Sequence, residues 1–216
     1  MKNYLFLSLF AAATLVSCGK DKPVTSEVSD VTTTTEGAVY AIDTLNSKIE
    51  WTGYKIVKSE NTSHFGTIKF ESGDVTVKDN KLESGKFVAN VATLESVDLK
   101  DDADSKGKLE GHLKSADFFD VEKFPTASYQ ITKVTEATDG GDFNTLIDGN
   151  LTIKGITKPI SFKSNATVVD GVITINTERK DINRDEFGVK FMIPAANGLI
   201  KNEISLQISV KANEKK

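Results

Sequence analysis

Cysteine, histidine and arginine are nearly missing from this 216-residue chain, and each scarcity removes a class of chemistry. The single cysteine, Cys18, cannot build a disulfide framework, and because it sits at an expected cleavage point, thiol catalysis is excluded as well. His64 and His112 are the only imidazoles. Zinc usually takes three or four protein ligands, and with no cysteine to help, no metal site is expected. Asp101, Asp102 and Asp104 cluster without the glycine and terminal glutamate of a calcium loop, so they read as a solvated turn. The net charge of −4 comes without a basic stripe, which excludes a nucleic-acid partner. Long apolar runs are scarce too: the one candidate, from Tyr4 to Val16 and interrupted only by Ser8 and Thr14, is shorter than the roughly 20 residues a spanning helix needs.

That run follows Met1-Lys2 and leads to "LVSC" at Leu15 to Cys18, the pattern of a secretory signal over residues 1–17. A small residue followed by cysteine resembles the bacterial lipoprotein lipobox, which makes Cys18 the expected lipidated N-terminus and membrane anchor. The next stretch, "GKDKPVTSEVSDVTTTTEG", has almost no large apolar side chains and cannot bury enough surface to order itself. Residues 18–38 therefore read as a flexible tether. Gly19 and Lys20 lack the acidic residue that often signals inner-membrane retention, so the expected location is the bacterial envelope, on the periplasmic or surface side of the outer membrane.

Residues 39–216 suffice for one domain with a substantial core. Their rhythm is period two. In "EISLQISVK", Ile204, Leu206, Ile208 and Val210 share one face, and Glu203, Ser205, Gln207 and Ser209 the other. The same alternation sets Ile49 with Trp51, Ile68 with Phe70, Phe87 with Ala89 and Val91, Tyr129 with Ile131, Ile147 with Leu151 and Ile153, Ile160 with Phe162, and Ile173 with Ile175. Ser72-Gly73-Asp74, Asp79-Asn80, Asp139-Gly140-Gly141 and Asp170-Gly171 are turn signals. About eight short antiparallel strands suggest an all-β sandwich or up-and-down barrel.

Only Leu99 to Ser115 breaks the alternation. Leu109 and Leu113 stand at i and i+4, predicting a short helix near 104–115 capped by Asp104 or Ser105. At its exit Phe118, Phe119 and Phe124 are expected to plug the space between helix and barrel, with Pro125 stopping the helix. Gly149 and Gly155 fit a bulge and a turn rather than a phosphate loop, since neither the spacing nor a following helix is present.

Three segments together, "LEGHLKSADFFDVEKFPTASYQITKV", "GNLTIKGITKPISF" and "NRDEFGVKF", with "SHFGTIKF" upstream, resemble the YceI-like family from Tyr40 to Val210. After Phe191 the chain has "MIPAANGLIKNE" where that family carries a longer polar, glycine-rich segment. The resemblance implies a lipocalin-like extended antiparallel barrel with an apolar pore. Members are secreted or periplasmic binders of polyisoprenoids or other long-chain amphiphiles. On that basis the pore would be lined by Ile49, Trp51, Ile68, Phe70, Phe87, Ala89, Val91, Phe118, Phe119, Tyr129, Ile131, Ile147, Leu151, Phe162, Phe187, Ile204, Leu206 and Ile208. His64, His112 and Arg184 are candidates for a polar head group.

Arg179 and Arg184, the only arginines, sit among Glu178, Asp181, Asp185 and Glu186, a pattern better explained by a salt-bridge corner at the barrel end than by a bidentate anion clamp. No nucleophile–base pair, carboxylate pair or metal set stands out, so no enzyme and no cofactor are expected. The expected partner is one long-chain lipid, and a homodimer is left open. Ile, Val and Phe on the inner faces suit a filled barrel as well as a hollow one; Gly53, Ala89 and Ala166, alternating with Trp51, Phe87 and Phe162, favour a cavity. A filled barrel would instead be an envelope scaffold for protein contacts, and a lipid hydrolase or isomerase using His64, His112 or Arg184 is the third alternative.

Overall fold

A computed structural model describes residues 28–34, 36–138, 141–193 and 198–216. The expected signal segment and Cys18 lie outside the described residues, as do Asp139, Gly140 and residues 194–197. Among the described residues ten strands run in the order β1 (Ala38–Ile42), β2 (Lys48–Val57), β3 (Glu60–Lys78), β4 (Lys81–Ser96), β5 (Thr126–Glu136), β6 (Thr145–Ile153), β7 (Ile156–Val169), β8 (Val172–Thr177), β9 (Lys180–Asn183) and β10 (Leu199–Glu214), with helix α1 (Ala103–Lys114) between β4 and β5. All the pairings are antiparallel. Strand β10 pairs with both β2 and β8, which closes β2 to β8 and β10 into a ring of eight strands. The fold is an all-β barrel of the lipocalin-like kind.

Local chemistry explains the meander. Four hairpins turn on two residues, both with positive φ: Lys58-Ser59, Asp79-Asn80, Lys154-Gly155 and Asp170-Gly171. Turns of this kind match the right-handed twist of the flanking strands. Ser72-Gly73-Asp74, in contrast, does not reverse the chain. It lies inside β3, next to a register shift between Phe70 and Ser72. A bulge there bends the long strand around the barrel, and glycine permits the close approach: a Cβ on Gly73 would sit 3.1 Å from the Phe87 ring.

Helix α1 starts one residue earlier than expected, because Asp102 caps it: Asp102 Oδ1 accepts from the Ser105 backbone N–H at 3.0 Å. That hydrogen bond is also the first reason the Asp102 carboxyl titrates below its ordinary range. Glu110 ties the helix to the barrel by accepting from Ser96 N at 2.8 Å. The helix ends where Ser115 turns extended, ten residues before Pro125, so Pro125 is not its stop. It lies just ahead of β5, and its carbonyl accepts from Val91 N at 2.8 Å.

The barrel's two halves differ. At the end of the β3–β4 and β7–β8 hairpins, Tyr40, Val75, Val77, Leu82, Ile173 and Ala212 join Phe70, Phe87, Ile131 and Ile147 in a solid core, with β1 closing the rim against β3 and β10. At the helix end, Leu151, Ile153, Ile182 and Phe187 form a smaller cluster on one side. Part of the segment expected as a tether is laid on the outer wall. Thr32 donates to Thr132 O through both N–H and hydroxyl, at 2.9 and 2.8 Å. Ser29 exchanges two hydrogen bonds with the Asn150 amide. Thr132 and Asn150 face outward yet are buried, which is why a polar strap, and not solvent, satisfies them.

Candidate functional site

Above the solid core lies a cavity of about 360 Å³, within the range of small-molecule sites. Strand alternation builds its wall: Ile49 and Trp51 from β2, Ile68 and Phe70 from β3, Phe87, Ala89 and Val91 from β4, Tyr129 and Ile131 from β5, Ile147 and Leu151 from β6, Phe162 from β7, and Ile204, Leu206 and Ile208 from β10. Phe118 and Phe119 close it near α1, together with Leu109 and Leu113 of the helix. All of these positions except the two leucines were expected on a pore from sequence. Phe187 is a correction: it is fully buried in the side cluster with Leu151, Ile153 and Ile182, and does not reach the cavity. Phe124 is another, since it packs near Gly155 and only Phe118 and Phe119 act as the plug. Ala166 packs against the solid core, whereas Gly53 and Ala89 do line the space. Nothing lies within 4 Å of the position a Gly53 Cβ would take.

Two glycines elsewhere make room for rings. A Cβ on Gly149 would fall 2.3 Å from Tyr129 Cζ, so glycine is what lets that ring lie flat across β6 while its hydroxyl donates to Ile160 O at 2.8 Å. Burial first, and then Asp148, push the Tyr129 phenol well up. Gly66 is required first by the Glu95 carbonyl, whose oxygen would lie 1.8 Å from an added Cβ, and then by the Trp51 indole at 2.9 Å.

Each of the three expected polar candidates reaches the cavity, and each is held differently. His64 Nδ1 lies 2.7 Å from Asp98 Oδ2, while Asp98 Oδ1 accepts from Phe65 N and Ser96 Oγ. Burial alone would raise the Asp98 carboxyl; the hydrogen bonds from His64, Ser96 and Phe65 outweigh it and hold Asp98 below its usual range. Asp98 itself is not on the cavity wall. Ser96 donates to the acid and not to the imidazole, so the three do not form a nucleophile–base–acid relay. His112 packs edge-on against Phe118 and Phe191, at 5.0 and 4.6 Å between ring centroids, with Nε2 3.4 Å from Asp117.

Arg184 is 3% exposed. Its guanidinium donates to the carbonyls of Lys201, Val189 and Phe191 and to Asn202 Oδ1, and lies 5.9 Å from the Phe118 ring centroid. The expected salt-bridge corner is thus a carbonyl-bonded arginine that ties down the chain after Phe187, and burial lowers its pKa. Arg179 instead donates to Thr52 Oγ1.

The cavity also gathers residues not expected there: Tyr54, Lys55, Leu94, Val189, Phe191, Ile193, Ile200 and Lys201. Lys55 was readable, because it continues the inward set Ile49, Trp51, Gly53. Lys201 was not, because register shifts between Ile200 and Ile204. Among the described residues no three His, Cys, Asp or Glu side chains come together as metal ligands.

A UPF0312 protein of Shewanella denitrificans is 27% identical over 213 residues, covering 96% of this chain and 98% of its own. UPF0312 proteins of Vibrio vulnificus are 32% identical over 139 residues, 64% of each chain. In fold, the chain is similar to Burkholderia cenocepacia BcnA, with a TM-score of 0.61 at 19% identity, covering 80% of this chain and 99% of that one. It is also similar to a polyisoprenoid binding domain from Saccharophagus degradans, with a TM-score of 0.55 at 10% identity, covering 82% and 99%. The model of the YceI-like domain matches residues 40–212, and the chain belongs to the YceI-like family.

Proposed function

We propose that the barrel binds one elongated apolar molecule, a polyisoprenoid or another long-chain amphiphile, and sequesters or carries it without chemical change. The observation that carries this reading is the apolar cavity with a solid floor and a mouth beside α1. A methylene displaces about as much volume as a water molecule, roughly 30 Å³, so 360 Å³ accommodates about a dozen. At about 0.8 kcal/mol for each CH₂ removed from water, the gross gain is roughly 10 kcal/mol. Association and ordering of the chain oppose it with a cost of similar order. Few polar contacts are then needed, which accords with a wall that is mainly hydrocarbon. The polyisoprenoid binding domain of similar fold supports the same class of ligand.

Native mass spectrometry of gently purified protein is the test. Retained lipid, or uptake of a long-chain lipid by delipidated protein, supports the carrier; protein that holds and takes up no lipid or hydrophobic dye supports a scaffold. Lipidation at Cys18 completes the proposal by holding the barrel in the bacterial envelope. Cys18→Ser is expected to abolish labelling by a radioactive fatty acid and release the protein from membranes; an unchanged label would end the anchor reading.

A further inference from the structure

The chain carries 31 acidic residues against 27 lysines and arginines, yet among the described residues not one Asp or Glu lines the cavity. Every described ionisable side chain there other than tyrosine is of the basic kind: Lys55, His64, His112, Arg184 and Lys201. Three of these are already attended to. His112 Nε2 lies 3.4 Å from Asp117. His64 faces Asp98. Arg184 bonds to protein oxygens with most of its donors, and Asp185 lies near it through Asn202. Lys55 and Lys201 are different, for neither forms an ion pair among the described residues.

Those two lysines are neighbours along the rim and flank its wall from its two faces: Lys55 of β2 shares a face with its partner Ile200 of β10, and Lys201, the next residue, sides with Tyr54. The Lys201 ammonium lies 5.7 Å from the ring centroid of Tyr54, the neighbour of Lys55. Arg184 Nε donates to the Lys201 carbonyl, which ties a third cation to the same stretch of β10. Across β2, Gly53 and Tyr54 pair with His64 and Ser63, which also reach the cavity. The result is a cationic stretch of the rim, half out of water, above an apolar well. Cations so placed lack a full hydration shell and gain most from an anion that brings its own apolar tail.

Resting on the binding reading above, we infer that the cavity takes a single-chain amphiphile with an anionic head, a carboxylate or a phosphate monoester. Its chain enters the barrel, and its head lies at Lys55 and Lys201. Arg184 contributes positive potential and not a two-pronged clamp, because its fork is engaged by the carbonyls of Val189 and Phe191.

The experiment uses delipidated full-length protein and three ligands of equal chain length: dodecanoate, dodecyl phosphate and dodecanol. Trp51, the only tryptophan, stands on the cavity wall and gives a fluorescence readout. Both anions are expected to bind at least about tenfold more tightly than the alcohol. In Lys55→Glu/Lys201→Glu, with folding checked by circular dichroism, the ratio of anion to alcohol affinity is expected to fall to about one or below. Dodecanoate preferred over dodecyl phosphate, or the reverse, tells which anion the rim suits and supports the inference either way. An alcohol bound as tightly as both anions, or a preference that survives the double substitution, overturns it while leaving the binding reading intact. Failure of all three ligands to bind overturns both.

Discussion

The two halves of this barrel are made by the same strands under the same inward alternation, yet one is solid and the other hollow. In the solid half, Phe70, Phe87, Ile131 and Ile147 meet the side chains of Val75, Leu82 and Ile173, and β1 adds Tyr40 from across the rim. In the hollow half the matching inward positions include Gly53 and Ala89, and the far boundary is a helix none of whose residues is buried. The difference teaches that a pore here is a matter of side-chain volume and of what covers each end, not of strand pattern.

The comparison can be broken most forcefully from the solid side. Ile173 is 0% exposed and away from the cavity, so Ile173→Ala opens a new void and is expected to lower unfolding free energy by about 3 kcal/mol. Ile68→Ala, on the wall of space that is already empty, is expected to cost about 1 kcal/mol or less in the same denaturant titration. Equal losses would mean the halves are packed alike. Next in size is Gly53→Phe. Its backbone has no positive φ and its Cβ position is open, so the ring is expected to enter the cavity, weaken ligand uptake at least about tenfold, and leave the melting temperature nearly unchanged. Unimpaired uptake would show that the ligand bypasses this space.

The smallest effect concerns the mouth. Asp98 has a carboxyl pKa held down in the folded state, so its contribution to stability is present above its ordinary pKa of about 4 and is lost as pH falls through the folded value. Asp98→Asn is expected to flatten the acid limb of the stability curve below about pH 4 relative to wild type, measured by thermal unfolding. Parallel acid limbs would deny Asp98 that role.

Much of this arrangement was legible in sequence because period two is a strong code: the inward sets on β2, β4 and β10 read correctly from their alternation. The turns at Asp79-Asn80 and Asp170-Gly171 also declared themselves. Ser72-Gly73-Asp74 misled because a bulge and a reversal use the same residues, and only the long pairing of β3 with β4 decides between them. Asp102 as helix cap was hidden among three neighbouring acids. Lys201 was hidden by a register shift, and Phe187 by a motif that fixes its neighbourhood without telling which way its ring turns. Arg184 looked like an ion-pair residue from its acidic neighbours, but its guanidinium bonds to the carbonyls of Val189, Phe191 and Lys201. Filled and hollow interiors share one alphabet of Ile, Val and Phe, so that distinction needed coordinates.

The central claim is that the upper half of the barrel holds an elongated molecule. A high-resolution structure of protein purified from its native membranes without delipidation tests it most directly. The account predicts continuous elongated density from the floor at Phe70, Phe87 and Ile131 to the mouth near Lys55 and Lys201. Side chains closing that space from end to end, with no room for a hydrocarbon chain, would contradict it.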